Sequence, residues 1–233
     1  MIKFGLIGHP LTGSGSPALF AKAYGDRWPY DLIDEPSFEA AWSRFLADYK
    51  AINVTAPFKT AAFERVAACG RLSEDAIACG AVNIVVKEDA GDTSVLAGYN
   101  SDYLGVKALL SAEGFGKDYV AVVVGFGGAG RAAAAAARAL GIDVVVCNRS
   151  PLSGTRPLSE LPLLAAVADI VIYTLPVAVP EIEGLDVPVV LEANYLSPCL
   201  ENHTGRYISG RRWLLEQARA GYEIMTGEKY LPL

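Results

Sequence analysis

The glycine-rich segment Gly125–Gly130, which reads GFGGAG, constrains the fold of this chain more than any other feature. It follows the apolar, valine-rich run Tyr119–Val124 and precedes an alanine-rich run, and this strand–loop–helix context gives the glycine spacing its physical meaning. Gly125 permits a tight turn, Gly127 lets the backbone approach a pyrophosphate, and Gly130 lets the helix pack closely on the sheet. The exposed N–H groups at the start of the helix also favour phosphates. A βα turn with a purely structural role is the alternative. The pattern predicts a dinucleotide cofactor bound by Gly125, Gly127, Gly128, Ala129 and Gly130.

The residues at the end of the next predicted strand, Asp143–Cys147, indicate which dinucleotide is bound. An NAD-binding fold normally places an acidic residue there to hold the ribose hydroxyls, whereas this chain has Asn148, Arg149 and Ser150. The guanidinium of Arg149 can pair with a 2′-phosphate and lie flat against adenine, and an acid would repel that phosphate. The tripeptide therefore favours NADP(H) over NAD. An ordinary polar turn is the competing interpretation.

Strand-like and helix-like segments alternate along the 233 residues, which predicts the α/β fold class with two domains. The first is an N-terminal α/β domain with an open sheet, over residues 1–104. The second is a Rossmann-like, NADP-binding domain over residues 105–205, and a C-terminal helical segment occupies residues 206–233.

Local signals predict the elements of the first domain. Ser16 precedes Pro17 and is predicted as the N-cap of a helix that has the proline in its first turn. The pair Gly91-Asp92 predicts a hairpin turn between two strands. Further strands are predicted over Ile2–Ile7, Tyr30–Ile33 and Ala51–Val54, and helices over Phe38–Tyr49 and Thr60–Cys69.

The composition excludes several classes of protein. Hydrophobic residues make up 52% and charged residues 20%, which excludes a disordered chain. The formal net charge of -6, without a basic run, argues against a nucleic-acid partner. No apolar run is long enough to cross a membrane, and no signal-peptide core is recognisable, so we expect a cytoplasmic protein. Four widely spaced cysteines and two histidines make a metal site improbable.

Three polar segments of the first half call for a functional explanation. The loop Gly8–Pro17 carries two hydroxyls, on Ser14 and Ser16, that could bind a carboxylate. Lys59 follows a predicted strand and a proline and could point into a cleft, although a solvated surface charge is the simpler interpretation of one lysine. Asp102 lies at a predicted helix start, where an N-cap is the simpler interpretation.

Taken together, the motifs resemble those of the shikimate dehydrogenase family, in the same order and over nearly the whole chain. In this sequence they stand as Ser14-Gly-Ser16-Pro17, Asn53-Val-Thr-Ala-Pro-Phe-Lys59, Gly80-Ala-Val-Asn83, Asn100-Ser-Asp102-Tyr-Leu-Gly105, Gly125–Gly130 and Asn148-Arg149-Ser150. Two weaker matches are Glu192-Ala-Asn-Tyr195, which resembles the family's Asp-x-x-Tyr, and Gln217 on the C-terminal helical segment.

The resemblance implies an NADP-dependent oxidoreductase that acts on shikimate and 3-dehydroshikimate in aromatic amino-acid biosynthesis, as a monomer or a homodimer. It implies that residues 1–104 bind the substrate and that residues 206–233 return to that domain. Lys59 and Asp102 would be the catalytic residues. The substrate-binding residues would be Ser14, Ser16 and Thr55 around the carboxylate, Asn83 and Gln217 at the ring hydroxyls, and Tyr195 at the border of the pocket.

The chain also departs from the family pattern. It lacks material between Arg149 and Ala168, His9 replaces an asparagine, and Tyr173–Val177 replaces an Ala-Thr-Ser-x-Gly run that faces the nicotinamide in the family. A quinate/shikimate dehydrogenase with broader substrate use and a non-catalytic metabolite-binding paralogue remain alternatives. A methylenetetrahydrofolate dehydrogenase also uses a lysine after a strand, but the Ser14/Ser16 pair argues against it.

Overall fold

The computed structural model describes residues 2–91, 93–150 and 152–230. The chain divides into two compact units. Unit 1 comprises residues 1–101 and 218–233, and unit 2 comprises residues 102–217. Each unit contains a six-stranded sheet with helices packed on it, as the α/β prediction requires.

The sheet of unit 1 is mixed, with strand order β2-β1-β3-β5-β6-β4. Strand β1 pairs in parallel with β2 and β3, while β5 is antiparallel to both β3 and β6. The elements are β1 (Phe4–Gly8), α1 (Ser16–Tyr24), β2 (Tyr30–Asp34), α2 (Phe38–Asp48), β3 (Ala51–Val54), α3 (Lys59–Cys69), β4 (Arg71–Leu72), α4 (Glu74–Cys79), β5 (Ile84–Ala90) and β6 (Thr93–Tyr99).

Helices cover both faces of this sheet, so neighbouring residues of one strand join different cores. Ile52 packs with Trp42 and Phe45 on the face covered by α2 and α3. Ala51 points the other way and packs with Phe20 and Tyr222, on the face covered by α1 and the C-terminal helix. This burial on both faces explains why the strands read as short apolar runs in the sequence.

The predicted strands and helices of unit 1 are confirmed, with one correction at the start of α1. Ser16 is the first residue of the helix and Gly15 is its N-cap, so the N-cap prediction for Ser16 was wrong. The Oγ atom of Ser14 accepts a hydrogen bond from Ser16 N at 3.4 Å. Ser14 therefore supplies the acceptor that the helix start requires, which leaves the Ser16 hydroxyl uncommitted to that task.

The predicted hairpin turn joins β5 and β6, because Ala90 pairs with Thr93 and Gly91 has a φ of 68°. Asp92, the second turn residue, lies outside the described residues. Strand β4 and helix α4 were not predicted from the sequence. Helix α4 has a clear capping signal nevertheless, since the Ser73 hydroxyl accepts a hydrogen bond from Ala76 N at 3.4 Å.

The sheet of unit 2 is parallel throughout and has the strand order β9-β8-β7-β10-β11-β12. Numbered within the unit, this order is 3-2-1-4-5-6, the order of dinucleotide-binding Rossmann folds. The elements are α5 (Ser101–Ala112), β7 (Val120–Val124), α6 (Gly128–Ala139), β8 (Asp143–Asn148), β9 (Arg156–Pro157), α7 (Leu161–Ala165), β10 (Ile170–Tyr173), β11 (Val189–Glu192), β12 (Arg206–Ser209) and α8 (Gly210–Thr226), whose last turns belong to unit 1. The predicted Rossmann-like fold is confirmed.

The shortened part of the chain lies between β8 and β10. Parallel strands are usually joined by a helix, but the described residues between β8 and β9, which are 149, 150 and 152–155, contain no helix. Strand β9 has two residues and α7 has five. The missing material thus comes from the helical layer beside β8, while the strand order is kept. No helix in the described part of the chain is both long and apolar enough to cross a membrane.

Candidate active-site residues

Three predicted substrate-binding segments meet at one edge of the unit 1 sheet. The loop with Ser14 and Ser16 follows β1, and the segment from Thr55 to Lys59 follows the adjacent parallel strand β3. Backbone hydrogen bonds join the two segments, from Thr55 N to Ile7 O at 3.0 Å and from His9 N to Ala56 O at 3.2 Å. Strand β5 runs antiparallel to β3, so Asn83, which precedes β5, lies at this edge too.

The loop after β1 is anchored by Asp34 at the end of β2. Its carboxylate accepts a hydrogen bond from Leu11 N at 3.1 Å and lies 2.8 Å from Nδ1 of His9. The Leu11 N–H and the His9 ring both favour the ionised carboxylate and lower the pKa of Asp34. His9, one of the departures from the family pattern, therefore helps to hold the loop that carries Ser14 and Ser16.

Lys59 is the first residue of α3 and is half-buried. Its carbonyl oxygen accepts a hydrogen bond from Val82 N at 3.2 Å, which ties the start of α3 to the segment before β5. The short turn from Thr55, closed by a 2.9 Å bond from Phe58 N to Thr55 O, leads directly from β3 into this helix. The lysine is thus fixed at its backbone by two neighbouring segments.

Asn83 is buried, with 6% of its surface exposed, and is held on three sides. Its carbonyl oxygen accepts a hydrogen bond from Val54 N, and its backbone N–H donates to Tyr99 O. Its side-chain Oδ1 atom accepts hydrogen bonds from Ser101 N at 2.7 Å and from Ser101 Oγ at 3.3 Å. Because a backbone N–H can only donate, the amide oxygen must face Ser101. The Nδ2 group is then the donor that Asn83 can offer to a ligand.

Asp102 and Gln217 are linked within unit 2 by the packing of α5 against α8. Asp102 lies in the first turn of α5, so the N-cap interpretation of this residue was wrong. Its carbonyl oxygen accepts a hydrogen bond from Trp213 Nε1 at 2.9 Å. A Cβ atom on Gly105 would lie 2.6 Å from Gln217 N, so only glycine allows this close approach. This contact explains the glycine of the motif Asn100–Gly105.

The glycine loop lies between the end of β7 and α6, beside the point where the strand order of unit 2 reverses. Gly125 has a φ of 95°, which favours glycine, and its N–H donates to Cys147 O at 2.8 Å. A Cβ atom on Gly130 would overlap the carbonyl oxygen of Gly125. By contrast, Cβ atoms on Gly127 and Gly128 would meet nothing within 4 Å. The loop therefore combines a tightly packed base with an open rim at the helix N-terminus, which fits a pyrophosphate.

The predicted 2′-phosphate site is at the end of β8. The Nδ2 atom of Asn148 donates to Ser150 O at 2.8 Å and so shapes the turn, while Arg149 and Ser150 are exposed. The turn carries a cation and no acid, and it fits NADP(H) better than NAD. Sequence analysis missed a second arginine in this region. Nε of Arg131, in the first turn of α6, is the one buried side-chain nitrogen or oxygen among the described residues that has no hydrogen-bond partner.

Tyr195 follows β11 in a loop that is held by two polar side chains. Glu192 is completely buried, and its carboxylate accepts hydrogen bonds from Cys199 N at 2.7 Å, Leu200 N at 3.1 Å and Tyr207 Oη at 3.1 Å. Asn194 donates to Ser197 O at 2.7 Å and to Pro176 O at 3.1 Å. The position of Glu192 in the Glu-x-x-Tyr motif was the one signal in the sequence for this network.

The departure at Tyr173–Val177 has a defined structure. Tyr173 is buried, and its hydroxyl donates to Val177 O at 2.6 Å, which closes the loop after β10. The next residue, Thr174, bonds Val124 O through both its backbone N–H at 2.9 Å and its hydroxyl at 2.8 Å. The loop that replaces the family's Ala-Thr-Ser-x-Gly run is therefore fixed to β7 and, through Asn194, to the loop that carries Tyr195.

The predicted site residues thus fall into two groups. Unit 1 brings Ser14, Ser16, Thr55, Lys59 and Asn83 to one sheet edge. Unit 2 contains Asp102, Tyr195, Gln217 and all the predicted cofactor-binding residues. Over the described ranges, no group of three or more His, Cys, Asp or Glu side chains could hold a metal ion. The four cysteines, all within the described ranges, form no disulfide bond.

Comparison with known proteins gives a consistent result. The family profile described as "Shikimate dehydrogenase substrate binding domain" matches residues 6–85. A shikimate dehydrogenase (NADP(+)) from Archaeoglobus fulgidus is 30% identical over 97% of this chain and 93% of its own length. The corresponding enzyme from Thermus thermophilus is 36% identical over 65% of this chain, and the match spans only 57% of that relative.

A solved structure extends the likeness to the fold. Shikimate 5-dehydrogenase from Thermus thermophilus, in complex with NADP(H) and shikimate, superposes with a TM-score of 0.84 and 26% identity. The superposition covers 100% of this chain and 96% of the other. Both sheets of the present chain therefore have counterparts in that structure.

Proposed function

The chain belongs to the shikimate dehydrogenase family, and from this membership we propose that it catalyses the reversible, NADPH-dependent reduction of 3-dehydroshikimate to shikimate. The observation that carries the proposal is the match to the Archaeoglobus fulgidus relative, because it extends over both units of this chain. A match to the substrate-binding part alone would leave the cofactor and the reaction open.

Reduction of a carbonyl requires a hydride at carbon and a proton at oxygen. NADPH, when bound, supplies the hydride. Lys59 would donate the proton or stabilise the developing alkoxide, since an ammonium group fixed after β3 can do both. Asp102 would accept a hydrogen bond from a ring hydroxyl of the substrate. These roles are our proposal for the catalytic pair.

The remaining polar groups would orient the substrate. Ser14, Ser16 and Thr55 offer hydroxyl donors to the carboxylate. The Nδ2 group of Asn83 would bind a ring hydroxyl, a role supported by the commitment of its Oδ1 atom to Ser101. Gln217 would bind a ring hydroxyl, and Tyr195 would border the pocket.

The cofactor would be held by two parts of unit 2. The pyrophosphate would be bound by the backbone of the glycine loop, at Gly125, Gly127, Gly128, Ala129 and Gly130. The open rim of this loop supports the assignment. Asn148 would shape the turn that presents Arg149 and Ser150 to the 2′-phosphate. Because the turn has a cation in place of an acid, we propose NADP(H) as the physiological cofactor.

The proposal extends to the organisation of the protein. We assign substrate binding to the domain predicted over residues 1–104 and nucleotide binding to the one predicted over 105–205. We assign a return to the substrate domain to the predicted segment 206–233, of which residues 218–233 belong to unit 1. A cytoplasmic location agrees with four cysteines that form no disulfide bond in the described part of the chain. We propose a monomer or a homodimer, which sedimentation of the purified protein can distinguish.

One assay tests the proposed reaction. NADP⁺ reduction is measured with shikimate, then with quinate, and NAD⁺ is then substituted for NADP⁺. We expect turnover with shikimate and NADP⁺, and turnover that is at least about tenfold lower when either is replaced. Equal turnover of quinate would establish the broader quinate/shikimate activity instead. Calorimetric binding of shikimate without turnover would establish a metabolite-binding protein and contradict the proposal.

A further inference from the structure

Tyr222, on the C-terminal helix α8, forms a hydrogen bond with the first turn of α1. The hydroxyl of Tyr222 donates a hydrogen bond to the backbone carbonyl oxygen of Ser16 at 3.0 Å. Ser16 is the first residue of α1, and Ser14 bonds its N–H from the loop side. The backbone of Ser16 is therefore fixed at both its N–H and its carbonyl oxygen.

Tyr222 is itself immobilised by a cluster of aromatic rings. It is 3% exposed, and its ring meets the edge of Phe20 with the two centroids 5.2 Å apart. Tyr30 lies 6.1 Å away, in a second edge contact. A ring packed in this way has one orientation, so the direction of its hydroxyl toward Ser16 is determined by the core.

The same cluster reaches the second proposed carboxylate-binding segment. The hydroxyl of Tyr30 donates to Oδ1 of Asn53 at 2.7 Å, and Asn53 lies two residues before Thr55. The aromatic cluster thus contacts the backbone of Ser16 on one side and the Asn53–Thr55 segment on the other. All of these residues belong to unit 1.

The phenols keep their protons at any physiological pH. Burial raises the pKa of Tyr222, and the Ser16 and Tyr30 side chains only partly oppose this effect. Burial likewise raises the pKa of Tyr30 well above its usual value. Both hydroxyls are therefore permanent donors, and the bond from Tyr222 to Ser16 persists whenever the core is formed.

We propose that Tyr222 is a positioning residue, whose hydroxyl fixes Ser16 and thereby sets the affinity for the substrate carboxylate without touching substrate or cofactor. The inference rests on the proposed function, which assigns the carboxylate to Ser14 and Ser16. It predicts an effect on the KM for the substrate and not on the chemistry, because Lys59 and Asp102 are left unchanged.

The test compares two Tyr→Phe variants from one cluster. Tyr222→Phe keeps the ring and removes the bond to Ser16. Tyr24→Phe is the matched control. Its ring also packs on Phe20, at 5.1 Å, while its hydroxyl donates to Glu228 O and accepts from Thr226 Oγ1. For each variant, kcat, the KM for shikimate, the KM for NADP⁺ and the thermal midpoint are measured.

We expect Tyr222→Phe to raise the KM for shikimate about 3- to 10-fold, which is the effect of one hydrogen bond. In Tyr222→Phe, the kcat and the KM for NADP⁺ should change by less than about twofold. Tyr24→Phe should leave all three kinetic constants unaltered, although its thermal midpoint should fall by about as much as that of Tyr222→Phe. An unaltered KM in Tyr222→Phe, or an equal rise in Tyr24→Phe, would overturn the inference while the proposed function stands. A wild-type protein that neither binds shikimate in calorimetry nor oxidises it rejects the proposed function and, with it, this inference.

Discussion

Gly105 packs directly against the backbone of Gln217, so that α5 and α8 approach more closely than any side chain would allow. A Cβ atom on Gly105 would lie 2.6 Å from Gln217 N and 2.8 Å from its Cα. The two helices carry Asp102 and Gln217, the residues of unit 2 that we propose at the ring hydroxyls. The glycine of the Asn-Ser-Asp-x-x-Gly motif thus has a packing role that serves the site.

Replacement of Gly105 by alanine should therefore force the two helices apart. We expect Gly105→Ala to lower the free energy of unfolding by about 1–3 kcal/mol, the cost of overpacking a close contact. Denaturant unfolding measures this effect. Gly116→Ala is the control, because its Cβ would meet nothing closer than Leu140 O at 3.7 Å. If both variants unfold at the same denaturant concentration as the wild type, the packing explanation is wrong.

The parts of the fold that could be predicted are those whose signals are local. The strand–glycine loop–helix of unit 2 combines an apolar run, a GxGxxG spacing and a long alanine helix, and each is visible within a few residues of sequence. The elements that were missed, such as β4, β9 and α7, have two to five residues and show no periodicity. Strands β4 and β9 form by pairing with β6 and β8, and α7 is held by Leu161 and Ala165, which pack into the core of unit 2.

The proposed site residues also divide into those with a local sequence signal and those without one. The motifs identified Ser14, Lys59 and Asp102 by residue type and spacing. The groups that hold such residues in place, such as the Ser101 backbone facing Asn83 and the Tyr222 hydroxyl bonding Ser16, are separated from them by 18 and 206 residues. No local pattern encodes a contact at that separation. The N-cap prediction for Ser16 failed for a different, local reason, because Ser14 accepts the Ser16 N–H and the helix begins one residue earlier than predicted.

Lys59 is the residue on which the proposed chemistry depends most. Lys59→Ala removes the proton donor, and we expect turnover of shikimate to fall by about 100-fold or more. The thermal midpoint should stay near that of the wild type because Lys59 is only half-buried. Lys22→Ala, a change at an exposed lysine in the last turn of α1, should leave turnover unaltered. Near-normal turnover in Lys59→Ala would refute the catalytic assignment.

Arg149 should determine the preference for the phosphorylated cofactor. Loss of a charge-assisted pair with the 2′-phosphate in Arg149→Ala should raise the KM for NADP⁺ about 10- to 100-fold, while activity with NAD⁺ changes little. Arg138→Ala provides the control, because this arginine lies in the last turn of α6, at the end away from the glycine loop. A parallel rise of the KM for NAD⁺ would show that Arg149 acts on some other part of the nucleotide.

The stability of the protein should fall at alkaline pH because of Tyr207. Burial, with the adjacent Glu192 carboxylate, raises the pKa of this phenol from 10.0 to about 12. Its contribution to stability is complete below pH 10.0 and is lost as the pH rises through about 12, since the unfolded chain releases the proton more readily. We expect the free energy of unfolding to decline as the pH rises from 10.0 to about 12, as measured by urea unfolding at each pH.

Tyr207→Phe separates this effect from general alkaline unfolding. The variant should be about 1–3 kcal/mol less stable at neutral pH, because Glu192 loses a donor, and its stability should depend less on pH above 10.0. Tyr119→Phe, at a tyrosine that is 40% exposed, is the control and should keep the alkaline decline that Tyr207 causes. A Tyr207→Phe variant with the full alkaline decline would assign the effect to another group.

The glycine loop offers a last prediction, because its glycines differ in what surrounds them. Gly130→Ala would drive a Cβ atom into the carbonyl oxygen of Gly125, so we expect a loss of about 2–4 kcal/mol of stability and weak expression.

Gly127 has a φ of -74° and open space around its Cα, so Gly127→Ala should fold normally. Its new methyl group would occupy the rim where we propose the pyrophosphate, and the KM for NADP⁺ should rise about 10-fold or more. Thermal unfolding and NADP⁺ titration of both variants measure the two effects separately. Normal NADP⁺ binding by a folded Gly127→Ala protein would contradict the proposed position of the pyrophosphate.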